Sequence, residues 1–165
     1  MSKLKFSITS VVITSLILTG CNQAAESKHD DHTQHDQPSF KSGDIQEQTD
    51  SSTVLPTFLN DQPKEIQNVY AAAGENGEIL KHIPCYCGCG RSVGHKHNDN
   101  CFISERKSDG SIVWDDHGTK CKVCLEIAAI AVVEHQKGKS VKEIRTLIDE
   151  KYKEGFAEAT PTPMP

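Results

Sequence analysis

The chain lacks an apolar run of the roughly 20 residues that a membrane-spanning helix needs. Its longest apolar stretch, Ile8 through Leu18, falls well short and is not read as a span. There is no excess of positive charge either. Lys plus Arg number 18 against 23 for Asp plus Glu, a formal net charge of −5. That balance argues against nucleic acid as a partner and against docking on anionic headgroups. No internal repeat marks a solenoid. No Ser/His/Asp arrangement, paired carboxylates or phosphate-binding loop is visible, so the chain is read as a non-enzyme.

What is present begins at the N-terminus. Residues Met1 to Phe6 carry Lys3 and Lys5 and no acid, and the apolar stretch follows. This is the layout of a signal peptide. The stretch ends Leu18-Thr19-Gly20-Cys21, which looks like a bacterial lipobox: small residues before the cut, and a thiol after it to take diacylglycerol. The expectation is an exported lipoprotein, cut before Cys21 and held by lipid (palmitate among its chains) at the outer, extracytoplasmic face of the cell membrane. An ordinary secretory signal with a chance cysteine is the alternative. Losing residues 1–20 removes Lys3 and Lys5 and moves the formal charge from −5 to −7. Lipid rather than charge must then hold the protein at the membrane.

Composition divides the remainder. Residues 21–53 are polar, with Phe40 and Ile45 the main large apolar side chains, and read as a lipidated, His-rich disordered tether. Within it His29, His32 and His35 can collect metal loosely or form an uncommitted linker. Residues 54–157 form the folded unit, and 158–165, rich in Pro and Thr, read as a disordered tail. The fold class is mainly α. A first helix is expected near Pro63–Ala73, capped by Asp61 and stopped by Gly74. A second, from about Lys120 to Lys137, is apolar over most of its circumference and therefore central. A third opens with the capping box Ser140-Val-Lys-Glu143 and runs to Tyr152. The result is a small three-helix domain with a Cys/His-rich loop packed on the central helix. Short strands are possible at Ile79–Ile83, Cys101–Ser104 and Ile112–Trp114, the last after an Asp109-Gly110 turn.

The loop carries the chemistry. Pro84-Cys85-Tyr86-Cys87-Gly88-Cys89-Gly90 interleaves three cysteines with glycines that let a short segment curl about a centre. Neighbouring Cys-x-Cys thiols are poorly placed to form a disulfide with each other. Next come His95, His97 and Cys101, then Asp115-Asp116-His117 and Cys121-x-x-Cys124. On a helix Cys121 and Cys124 share one face of the first turn, where unpaired N–H groups and the dipole favour thiolates. His117 lies just upstream as a further ligand. Asp115 and Asp116 are suited to orienting it, or to capping the helix. His82 and His135 read as surface or helix-end residues, and Trp114 and Tyr86 as packing around the cysteine loop.

Pro84 to Cys89, followed by Gly94-His95-Lys96 and by His117-Gly118 with Cys121-x-x-Cys124, resembles the PCYCGC-motif lipoproteins of Gram-positive bacteria. The resemblance spans roughly Ile79 to Tyr152. That family has no assigned function, so it implies the lipoprotein reading and the same cysteines, and no activity.

Three uses of the cysteines remain open. The first is a mostly thiolate site for a thiophilic metal ion, copper or zinc, for carriage, buffering or sensing. Its ligands would be Cys85, Cys87, Cys89, Cys101, His117, Cys121 and Cys124, with His95 and His97 as possible additions. The Cys-x-Cys-x-Cys spacing suits a multi-thiolate or binuclear site rather than a standard zinc ribbon. The second is a disulfide-stapled structural or interaction lipoprotein without metal, which the oxidising location permits. The third is thiol–disulfide exchange through Cys121 and Cys124, although no alternating β-α-β pattern surrounds them.

Overall fold

The computed structural model describes residues 39–41 and 43–165. Cys21, the apolar stretch at 8–18 and His29, His32 and His35 lie outside the described residues. The domain is mainly helical but contains a four-stranded antiparallel sheet in the order β1-β2-β4-β3. The strands are β1 (Ser39–Lys41), β2 (Asp44–Thr49), β3 (Ile103–Arg106) and β4 (Ile112–Asp115). Five helices accompany them among the described residues: α1 (Lys64–Glu75), α2 (Gly77–Leu80), α3 (Cys89–Val93), α4 (Lys122–Gln136) and α5 (Val141–Tyr152). No helix among them is long and apolar enough to cross a membrane.

Strand β2 lies in the segment expected to be a disordered tether. Its register places Gln46 opposite Asp115 and Thr49 opposite Ile112. The strand escapes a hydrophobic-pattern reading because its buried positions are polar: Asp44, Gln46 and Thr49. Each is satisfied inside the domain, which is the condition for burying it at tolerable cost. Gln46 Nε2 donates to Asp115 Oδ2 at 2.8 Å, and Thr49 Oγ1 accepts from Trp114 Nε1 at 2.8 Å. On the other edge of β4, the turn around Asp109-Gly110 returns the chain from β3. Gly110 takes φ +92°, and Asp109 Oδ1 accepts from Ser111 N. The strand expected at Ile112–Trp114 is β4, and that at Cys101–Ser104 starts later, as β3. Ile79 and Leu80 instead sit in the short helix α2.

The three long helices fall where the apolar periodicity places them. Helix α4 touches α1, α2 and α5 and buries Cys124, Ile127, Ala128, Ala131 and Val132, so it is the central helix. Helix α5 carries the complete capping box, with Ser140 N donating to Glu143 Oε2 at 2.9 Å and Glu143 N to Ser140 Oγ at 3.3 Å. Helix α1 departs from expectation at both ends. Pro63 rather than Asp61 occupies its N-cap, and the helix runs through Gly74 to Glu75. A Cβ on Gly74 would stand 2.7 Å from the Ser52 carbonyl oxygen and 2.8 Å from Trp114 Cη2. The glycine therefore permits close packing rather than ending the helix.

Between α1 and the sheet lie the large side chains of the core. Tyr70 meets Phe102 edge-on, with centroids 5.1 Å apart, and its hydroxyl donates to the Asp115 carbonyl at 2.8 Å. Trp114 is fully buried here, against α1, rather than around the cysteine loop. Full burial of such side chains contributes about 1.5–3 kcal/mol each.

The segment expected to be a disordered tail instead packs on the domain. Thr160 is buried, and its backbone N–H donates to the Cys85 carbonyl at 3.0 Å. Ala157 N donates to the Tyr86 carbonyl at 3.2 Å, so the segment after α5 lies across the cysteine loop.

Candidate metal centre

The loop that carries Cys85, Cys87 and Cys89 is held by backbone hydrogen bonds to the segment after α5. Besides the pairing with Thr160, Cys85 N donates to Thr160 Oγ1 at 2.9 Å. The side chain of Tyr86 stacks on Tyr152 and donates to Asp149 Oδ1 at 2.6 Å, tying the loop to α5. After Cys87 the chain turns sharply. Gly88 takes φ +81°, a left-handed conformation that glycine adopts without strain, and Cys89 opens α3 immediately afterwards. Cys101 closes a 3-10 turn spanning Asn98–Cys101. Cys121 is the N-cap of α4 and Cys124 lies in its first turn, as the spacing predicts.

These separate segments deliver their thiols to one place. All six cysteines among the described residues are free, with Cys85, Cys101 and Cys124 buried and Cys89 exposed. The Cys85 sulfur stands 3.1 Å from that of Cys87 and 3.3 Å from that of Cys124. Cys85, Cys87 and Cys124 form a set whose sulfurs all lie within 4.8 Å of one another. Cys101 adjoins this set at Cys124 and Cys85, and Cys121 adjoins it at Cys87 and Cys124. A second set, within the same 4.8 Å limit, joins Cys87 and Cys89 to a ring nitrogen of His117.

His117 is oriented by a residue that the sequence reading missed. Its Nδ1 lies 3.0 Å from Asp44 Oδ2, and both side chains are buried. The backbone N–H of His117 donates to Asp115 Oδ1 at 2.9 Å, so Asp115 caps the 3-10 turn at Asp116–Lys120 and leaves orientation of the ring to Asp44. Asp116 accepts from Ile45 N at 2.8 Å and from Lys120 Nζ at 2.9 Å. With Nδ1 committed to Asp44, Nε2 of His117 is left buried and without a well-formed hydrogen bond, beside the Cys87 sulfur. A carboxylate holding one imidazole nitrogen so that the other faces a ligand set is the usual support of a metal-binding histidine.

The electrostatics follow the geometry. Hydrogen bonds from Cys121 and Cys124, joined by His117, bring the Cys87 thiol down to about 4. The Cys87 sulfur and then Asp44 hold His117 up to about 9, against the opposing effect of burial. Cys87 and His117 thus favour each other's charged forms. The thiols surrounding Cys124, Cys101 first, push it up and keep it protonated. Cys101 is lowered to about 7 by Cys124 and Cys85. Lowered and raised thiols side by side are what a shared proton network between neighbouring sulfurs produces.

His95 and His97 join neither cysteine set. The His95 ring packs edge-on against His117, with centroids 4.7 Å apart. Both histidines line a polar cavity of about 420 Å³ with Gln46, Asn100, Ser104 and Asp115, and burial lowers the pKa of each. His135 is exposed, and His82 approaches the Pro163 carbonyl at 3.4 Å; neither is near a cysteine set. Asp44, Asp115 and Asp116 also come within 4.8 Å of one another, but His117, Gln46, Ile45 and Lys120 already occupy their oxygens. The periodic signals available in the sequence do not reveal Asp44 or Thr160, because each acts on the site across more than 70 residues.

No curated protein and no solved structure matches the chain. A family described as protein of unknown function with PCYCGC motif matches residues 10–165. That match covers nearly the whole chain, including every cysteine and histidine of the centre, and the chain belongs to this PCYCGC-motif family.

Proposed function

We propose that the protein is an extracytoplasmic, membrane-anchored lipoprotein that binds a thiophilic metal ion, copper or zinc, for carriage, buffering or sensing. The observation that carries the metal reading is convergence. Sulfurs from the Pro84–Cys89 loop, the 3-10 turn at Cys101 and the start of α4 meet a buried imidazole whose far nitrogen is fixed by Asp44. Thiolate and imidazole are the donors that soft and borderline ions select. Isolated structural thiols would not call for a carboxylate-oriented histidine with an open nitrogen among them. The lipid anchor rests on the Leu18-Thr19-Gly20-Cys21 ending, which suits export to a compartment where bare thiols oxidise. Metal would keep them as thiolates there. The protein acts by holding and releasing an ion rather than by catalysis.

Anaerobic purification of the full chain, with elemental analysis and a thiol count under denaturing conditions, tests this. Copper or zinc bound together with about six titratable thiols is the expected result. A metal-free protein with no free thiols would overturn it in favour of a disulfide framework. A thiol count that follows applied redox potential would favour exchange chemistry.

A further inference from the structure

We propose that the centre is built for two ions that share the Cys87 sulfur. This rests on the metal-binding reading above and specifies it. The ligand atoms divide into an inner set of Cys85, Cys87 and Cys124 and an outer set of Cys87, Cys89 and His117. Each set is compact enough to surround one ion, with its atoms within 4.8 Å of one another. They do not merge into one set of that size, and Cys87 alone belongs to both. A thiolate sulfur has lone pairs enough to bind two soft cations, so the common member becomes a bridge rather than a point of competition.

The two positions differ in kind. The inner set is all sulfur, with Cys85 and Cys124 buried and Cys101 and Cys121 adjoining it. The outer set mixes two sulfurs with one nitrogen and includes Cys89, the exposed cysteine. Cys89 begins a short helix bounded by two left-handed glycines, Gly88 at φ +81° and Gly94 at φ +80°. The outer ion therefore sits on the side of the cluster that opens to solvent, and the inner ion is enclosed. The outer position is where an ion enters and leaves, and the inner position is where one is retained. A protein that carries or buffers metal needs both properties, and here one sulfur couples them.

The test is anaerobic titration of the reduced full chain with Cu(I), in competition with a chromophoric Cu(I) chelator. Cu(I) is the probe because it is the softest ion that the donor set admits. Wild type is expected to hold about two copper ions per chain in the chelator-resistant range, in two resolved affinities. Cys89→Ser, at an exposed position that leaves the fold unchanged by circular dichroism, should lose the weaker ion and keep the tighter. Cys87→Ser should weaken both. Saturation of wild type at one ion, with Cys89→Ser indistinguishable from it, overturns the shared centre while leaving metal binding intact. Loss of the same single ion in Cys87→Ser and Cys89→Ser overturns the bridging role of Cys87. Failure of wild type to retain either Cu(I) or, in a parallel titration, Zn(II) against a competing chelator overturns the metal reading itself.

Discussion

At the scale of single residues, the position of one carboxylate decides what His117 can do. Asp44 holds Nδ1 and turns Nε2 toward the thiols. Asp44→Asn keeps the size of the side chain and removes its charge. The expected result is a roughly tenfold loss of metal affinity with little change in fold, read by chelator competition and circular dichroism. The Cys87–His117 pair also sets a pH dependence for the reduced, metal-free protein. The Cys87 thiol falls from 9.0 to about 4 on folding, so its contribution to stability is complete above 9.0 and disappears as pH falls toward 4. His117 moves the other way, from 6.5 to about 9, so its contribution is complete below 6.5 and is lost as pH rises to 9. Between 6.5 and 9 the two slopes oppose each other. Stability of the apo-protein should therefore climb from pH 4 to about 6.5 and more gently above it, in denaturant titrations run under reducing conditions. Above 6.5 the slopes of Cys87 and His117 cancel, and the lowered Cys101 thiol adds a rise between about 7 and 9. In Cys87→Ser the climb should become shallower, the remainder coming from His95 and His97, whose burial-lowered pKa values also make stability rise toward pH 6.5. A climb as steep as in wild type would refute the pairing.

At the scale of elements, two substitutions separate propensity from packing. Ser140→Ala removes the N-cap hydrogen bond of α5 and should cost about 1 kcal/mol without altering metal binding. Gly74→Ala lies within α1, where intrinsic propensity favours alanine by about 1 kcal/mol. The new Cβ would meet the Ser52 carbonyl and the Trp114 ring below 3 Å, so the expected result is a lower melting temperature. A rise would mean that Ser52 and Trp114 yield easily. The same contrast explains which elements could be read from the sequence. Helices α4 and α5 are legible because Ile127, Ala128, Ala131 and Ile144, Ile148, Tyr152 recur at helical spacing. The cysteine cluster is legible because ligand chemistry is local in the sequence. Strand β2 is not, because Asp44, Gln46 and Thr49 are buried through hydrogen bonds to partners on β4 and beyond it. Apolar alternation has nothing to register there. Likewise Gly74 has the look of a helix stop until the ring that packs over it is in place.

At the scale of the whole molecule, the segment after α5 covers the motif loop from outside. Its hydrogen bonds to Cys85 and Tyr86 are supplemented by Thr162 Oγ1, which donates to the Lys96 carbonyl at 2.6 Å. Removing residues 157–165 should leave the helices and sheet folded but raise the rate at which Cys85 is alkylated in the metal-free protein. A mass-spectrometric time course with iodoacetamide reads this directly. An unchanged rate would show that the segment shields nothing.

The centre therefore depends on partners far apart in the chain: 73 residues separate Asp44 from His117, and 75 separate Cys85 from Thr160. Contacts of such separation form late in folding, after the entropy of closing long loops has been met. A polypeptide emerging N-terminus first presents Asp44 early and Thr160 only after nearly all the rest. In the export route proposed above, its thiols would be in the open throughout translocation, before the geometry proposed to select an ion exists. Under the proposed function, metallation in the native arrangement would follow export, and the interval before it would be when these cysteines are most vulnerable to oxidants.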